Sequence, residues 1–140
     1  MATVIDSNVI AALWNLDDTL NAEARSALDA ALARGSLIVP APVYAELMAF
    51  AGRTESFLDT FLRETGIAVE WRMDEGVWRA AGLAFQSYAG RRRRQREPGP
   101  RRILADFVIG AYAARHNYPL LTLDEGVYRA AFPELRIVIA

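Results

Sequence analysis

The sequence predicts an α/β domain in which a parallel sheet is covered by helices on both faces. Short apolar segments alternate with longer segments of helical period along the whole chain, which is the pattern of repeated strand-helix-strand units. The apolar segments are too short for helices and read as buried strands, as strands covered on both faces do. Capping residues, glycines and prolines punctuate the junctions where such units need them.

Ala2-Thr3-Val4-Ile5 reads as the first buried strand, and Asp6-Ser7-Asn8 offers capping side chains before a helical run from Val9 to Asn15. A second helix from about Asp18 to Arg34 ends at Gly35, and Ser36 to Val39 forms the next strand. Pro42 suits the first turn of a helix through Ala51, closed by Gly52. Thr54 to Thr65 carries Phe57, Leu58, Phe61 and Leu62 on one face, and Gly66 stops it before the strand Ile67 to Trp71. A helix from Asp74 to about Tyr88 leads into an arginine-rich stretch with Pro98-Gly99-Pro100, read as a long loop. Ile103 to Arg115 is an apolar helix, Pro119 to Leu123 a strand, Glu125 to Ala131 a helix and Arg136 to Ile139 the last strand.

At 140 residues the chain fits one domain, residues 1–140, with a core large enough to need no covalent staple. It has no cysteine, which removes thiolate zinc sites, cysteine nucleophiles and redox motifs and fits a reducing compartment. Met1 to Ile5 run directly into an apolar segment without a basic leader, and no apolar run reaches the roughly 18 residues of a spanning helix. The expectation is a soluble, cytoplasmic protein with no membrane partner. Net charge is −1, too small for bulk coating of nucleic acid. All 16 basic residues are arginine, and Arg91, Arg92, Arg93, Arg94, Arg96, Arg101 and Arg102 fall within twelve positions.

Three carboxylates stand alone in apolar segments: Asp6 between Met1 and Leu16, Glu46 between Leu37 and Gly52, and Asp106 between Ile103 and Ala114. An isolated buried carboxylate is costly unless it is paired, binds a cation or takes up a proton. Asp6 follows the first strand and Asp124 follows Leu120-Leu121-Thr122-Leu123, both at strand carboxyl ends, where open α/β sheets bind ligands. Plainer roles stay open: Asp6 and Asp124 as helix caps, and Glu46 as a charge favouring the early turns of its helix. Asp106 reads as lying too far into its helix to cap it. The run Asp74-Glu75-Gly76-Val77-Trp78-Arg79-Ala80-Ala81 nearly repeats Asp124-Glu125-Gly126-Val127-Tyr128-Arg129-Ala130-Ala131. Asp74 follows Trp71-Arg72-Met73, with an arginine close enough to pair, and reads as a cap; Asp124 follows an uncharged strand and reads as a ligand.

The ordered set of Asp6-Ser7-Asn8 after a strand, Glu46 early in a helix, Asp106 within Ile-Leu-Ala-Asp-Phe-Val-Ile-Gly-Ala, and Leu-Thr-Leu-Asp124 resembles PIN-domain nucleases. It is most similar to their short VapC-type toxin branch. The resemblance implies a three-layer α/β/α sandwich with a central parallel sheet and a metal-dependent phosphodiesterase site. It implies that Asp6, Glu46, Asp106 and Asp124 form the acidic, metal-binding catalytic cluster, with the hydroxyls of Ser7 and Thr122 orienting ligands or water. It also implies an RNA substrate, a cognate antitoxin and a homodimer; the aliphatic and aromatic face of the two helices between Ala41 and Leu62 is a candidate docking surface, with core packing as the other use of most of its residues. The basic stretch 91–102 departs from the family pattern, and it has three readings: solvated loop, RNA-phosphate clamp, or dock for an acidic partner.

Oxygen donors suit Mg²⁺ or Mn²⁺, and such ions support in-line hydrolysis at phosphorus. His116 has no second histidine for metal-free acid–base cleavage of RNA, and it falls in the last turn of a helix, where a cation is favoured. Haloacid-dehalogenase-like phosphatases need an aspartate where this chain has Asn8, and receiver and P-loop proteins need a lysine, which is absent. The expectation is a Mg²⁺-dependent endoribonuclease; the alternative is a PIN-like RNA-binding or scaffold protein without turnover.

Overall fold

The computed structural model describes residues 1–95 and 104–139. Five strands, β1 (Thr3–Ile5), β2 (Leu37–Pro40), β3 (Ile67–Glu70), β4 (Leu120–Thr122) and β5 (Ile137–Ile139), pair in parallel in the order β3-β2-β1-β4-β5. Val4 in the central strand stands between Ile38 and Leu120. Val4, Ile5, Val39, Leu120 and Leu121 are fully buried, because each strand residue meets a helix layer on one face or the other.

The connections carry α1 (Ser7–Trp14), α2 (Asn21–Arg34), α3 (Ala41–Met48), α4 (Glu55–Thr65), α5 (Glu75–Gln95), α6 (Leu104–Arg115) and α7 (Glu125–Ala131). Right-handed crossovers stepping from β1 to β2 to β3 lay α1 to α4 on one face, and those stepping back through β4 to β5 lay α5 to α7 on the other. The packing agrees, since α1 meets α2 and α3 while α6 meets α5 and α7. This is the three-layer α/β/α sandwich with a parallel sheet expected from the sequence.

Several boundaries shift for local reasons. The second helix starts at Asn21 rather than Asp18, because the Asn21 amide donates to the carbonyls of Ala12 and Leu13 at the end of α1, while the Asp18 carboxylate accepts from Leu20 N in a turn. Thr54 caps α4 by accepting from Phe57 N, and Gly66 ends it in the left-handed conformation, at φ 74°, that glycine adopts without strain. The third helix stops at Met48, short of Ala51.

The largest difference lies in the basic stretch. Arg91, Arg92, Arg93 and Arg94 are not loop residues; they extend α5 to Gln95. Arginine is a good helix former, and cations in a last turn face the negative end of the helix. Arg92 also lies over the Tyr88 ring at 5.8 Å, one turn earlier. Arg96, Arg101 and Arg102 fall outside the described residues.

Helix α6 approaches α7 closely at Gly110. A Cβ there would stand 2.4 Å from the Phe132 ring and 3.2 Å from Tyr128. Both rings are buried, so neither can swing into solvent. Gly110→Ala is expected to cost about 1–3 kcal/mol through overpacking, seen as a drop of several degrees in Tm. An unchanged Tm would mean that the two helices part freely. Among the described residues no helix is long and apolar enough to cross a membrane.

Candidate active site

In a parallel sheet all strands end at one edge, and the cleft opens where the strand order reverses. Here that point lies between β1 and β4, because the chain leaves β1 for β2 on one side and returns to β4 on the other. Asp6 follows β1 directly, Thr122 ends β4 and Asp124 comes two residues later. Glu46 lies on α3, which follows β2, and Asp106 opens α6, which runs down to the start of β4. Topology alone therefore brings residues 6, 46, 106, 122 and 124 to one edge.

Asp6 is 4% exposed, a buried carboxylate held by four donors. Its Oδ1 accepts from Ser7 N at 2.8 Å, which caps α1. Its Oδ2 accepts from the Thr122 hydroxyl at 2.9 Å, the Tyr128 hydroxyl at 2.9 Å and the Asn8 amide at 3.4 Å. Burial raises the Asp6 pKa above the ordinary carboxylate range, and the negative charge of Asp124 adds to it. Hydrogen bonds from Thr122, Tyr128 and Ser7 work against that shift without cancelling it.

Thr122 is fully buried and serves both sides of the cleft. Its hydroxyl donates to Asp6 and accepts from Asp124 N at 3.0 Å and from the Asn8 amide at 3.3 Å. Asn8 in turn accepts from Leu123 N at 3.1 Å, bracing the turn after β4 against α1. Glu46 is half-buried and accepts from the Ser7 hydroxyl at 3.1 Å. Burial, then the charges of Asp6 and Asp106, push its pKa up to about 7, against the Ser7 hydrogen bond.

One expectation changes and one holds: Glu46, read as early in its helix, is the sixth of the eight residues of α3, whereas Asp74 caps its helix and Asp124 does not, as the sequence suggested. Among the described residues Asp106 is the third residue of α6 and half-buried, inside the helix as the sequence suggested. Asp124 occupies the N-cap position of α7 but makes no capping hydrogen bond with its side chain. Asp74, its counterpart in the repeated octapeptide, does cap, accepting from Val77 N at 2.9 Å. The two segments share a sequence and differ in the use of their aspartates.

Tyr128 and Asn8 belong to the network, and sequence reasoning did not place them in the site. Tyr128 is 1% exposed, whereas Trp78, its counterpart in the repeat, is 50% exposed. The signal was a hydroxyl at the inward position of α7, on the same turn as Asp124. His116 is exposed just after α6, against Tyr118, and α6 carries it away from the edge where Asp106 lies.

Among the described residues no three acidic or histidine side chains converge on one point to hold an ion. The donor chemistry nonetheless fits a hard divalent cation, being carboxylate and hydroxyl oxygen throughout. Burial and mutual repulsion raise Asp6 and Glu46 together, and a cation would relieve that cost by favouring the ionised forms.

The PIN domain family model matches residues 3–133. Among solved structures, the chain is similar to VapBC2 from Rickettsia felis bound to a DNA fragment from its promoter, with a TM-score of 0.64, 15% identity and coverage of 100% of this chain and 99% of that one. It is similar to FitAcB from Neisseria gonorrhoeae, at 0.63 and 21%, covering 96% and 95%. It is also similar to VapC20 from Mycobacterium tuberculosis, described as a Sarcin-Ricin loop cleaving toxin, at 0.62 and 15%, covering 96% and 98%. At these identities the likeness is one of fold. No curated protein matches the chain. With the family model spanning nearly all of the sandwich and both ends of the cleft, this chain belongs to the PIN domain family.

Proposed function

We propose that this chain, acting as one domain over residues 1–140, is a divalent-metal-dependent endoribonuclease and the toxin of a toxin–antitoxin pair. The observation that carries the reading is the cluster around Asp6: a buried carboxylate at the switch point of a PIN domain, coupled electrostatically to Asp124 and to Glu46, which also senses Asp106. The names of the similar structures, among them VapBC2, FitAcB and a Sarcin-Ricin loop cleaving toxin, support the same class.

In this reading Asp6, Glu46, Asp106 and Asp124 hold Mg²⁺ or Mn²⁺. A bound ion would supply a hydroxide nucleophile at neutral pH and charge stabilisation at the leaving oxygen. The chain's own groups set the stage for it. Ser7 orients Glu46, and Thr122 ties Asp6 to the turn that carries Asp124.

The basic end of α5 suits the RNA strand. Phe85 and Tyr88 on α5 pack against Phe107, the residue after Asp106, so Arg91 to Arg94 continue α5 past the acidic edge. Arginine forks grip phosphate well. Replacing Arg91 to Arg94 with glutamine is expected to weaken RNA binding and to flatten its salt dependence by about 0.7 in log–log slope for each phosphate no longer neutralised. An unchanged slope would assign these arginines to solvent or to a protein partner.

In the same reading the antitoxin covers the aromatic surface around Trp14, where Phe50, Phe57 and Phe61 meet the indole edge-on and Arg53 lies over it. Phe50 and Phe57 remain exposed there, and a second copy of the chain completes the assembly as a homodimer. The decisive test maps cleavage ends in total RNA with Mg²⁺, wild type against Asp6→Asn. New 3′-hydroxyl and 5′-phosphate ends from wild type alone are expected. Ends carrying 2′,3′-cyclic phosphate, full cleavage in EDTA, or no cleavage would each overturn the reading.

A further inference from the structure

We infer that Tyr128 is a positioning residue that fixes which oxygen of Asp6 faces the cleft. The inference rests on the metal-site reading above and adds a residue that the acidic set does not contain. The two oxygens of Asp6 are treated differently. Oδ2 is crowded by two hydroxyls, each at 2.9 Å, and by a longer amide contact from Asn8. A carboxylate oxygen has two lone pairs, so two short donors occupy it. Oδ1 takes one short hydrogen bond, from Ser7 N, and keeps a lone pair for a ligand.

The two hydroxyls do not have equal freedom. Thr122 has a single proton and stands within reach of a second acceptor, the Asp124 carbonyl at 3.5 Å, so its donation to Asp6 can be diverted. The Tyr128 hydroxyl donates to Asp6 Oδ2 from a ring that is 1% exposed and packed against the helix at Gly110. A buried ring packed between α7 and α6 cannot swing away without leaving the core, so its hydroxyl is the stop against which the carboxylate rests. In this arrangement Asp6 presents a single oxygen, Oδ1, and cannot turn to offer both. Outer-sphere donors of this kind set the orientation of a ligand, and losing one costs about 10–100-fold in metal affinity or activity.

Tyr128→Phe removes the hydroxyl and keeps the ring, so the packing on Gly110 survives. Mn²⁺ binding to the RNA-free protein, followed by calorimetry, is expected to weaken about tenfold, with kcat falling in step and KM for RNA unchanged. RNA affinity in EDTA should equal that of wild type. A Tyr128→Phe protein with wild-type Mn²⁺ affinity and kcat would overturn the inference, whatever its Tm. Asp6→Asn is the control. If Asp6→Asn loses Mn²⁺ binding and Tyr128→Phe keeps it, only this inference fails. If wild type and Asp6→Asn bind Mn²⁺ alike, the metal-site reading fails and takes the inference with it.

Discussion

Asp6→Asn is expected to lower RNA cleavage by about a thousandfold or more while the protein still folds cooperatively. The loss corresponds to about 4 kcal/mol of transition-state stabilisation, the scale of effect expected when a metal-binding carboxylate becomes neutral. The effect on stability is a contest. Asparagine keeps one acceptor oxygen, so either Ser7 N or the Thr122 and Tyr128 hydroxyls face its amide group. Losing the cap costs about 1 kcal/mol. Against this, burial raises the Asp6 pKa, so the ionised side chain itself burdens the fold at neutral pH, and the amide removes that burden. The hydroxyls can also turn to accept from the amide. The expected Tm lies within a few degrees of wild type, and the drop in activity is therefore not a folding defect. Cleavage above a tenth of the wild-type rate would remove Asp6 from the chemistry.

The second large effect is a stability that falls as pH rises through neutrality in metal-free protein. The Glu46 pKa is 4.5 when unperturbed and about 7 in the fold. The folded state thus binds more protons than the unfolded state between those values. Its contribution is fully present below pH 4.5 and is lost as pH rises through 7; Asp6, also raised, acts in the same direction. The full shift would be worth about 3 kcal/mol, and solvent screening of a half-buried group reduces this to about 1–2 kcal/mol. In EDTA, Tm should decline from about pH 5 to about pH 8 by several degrees. Glu46→Gln should flatten the decline. Mn²⁺ should restore stability most strongly at the alkaline end, because it binds the ionised forms. A flat or rising profile in EDTA, shared by wild type and Glu46→Gln, would contradict the placement of Glu46 beside Asp6 and Asp106.

The order of elements was legible because each strand is short and apolar and several helices are bounded by a residue with a local reason to start or stop them. Gly66 and Thr54 are such cases: both act through backbone chemistry within one turn. The length of α5 was misread because a run of like charges resembles a solvated loop, and helix propensity with a favourable dipole overrode that resemblance. Glu46 was placed too early because Pro42 marks where its helix can start, while the helix expected to run through Ala51 stops at Met48.

The acidic residues themselves were written in the local sequence, since a lone charge in an apolar segment stands out whatever the fold. Their partners were not. Whether Asp124 or Asp74 caps its helix cannot be read from two nearly identical octapeptides; it follows from what each meets after folding. Tyr128 lies 122 residues from Asp6 and reaches it only because α7 packs on α6 and places the hydroxyl on Oδ2. Local chemistry thus determined the fold class and the charged groups, because caps, periodicity and desolvation act over a few residues. The hydrogen bonds that aim those groups were decided by tertiary packing, because they join residues that only the closed sheet brings together.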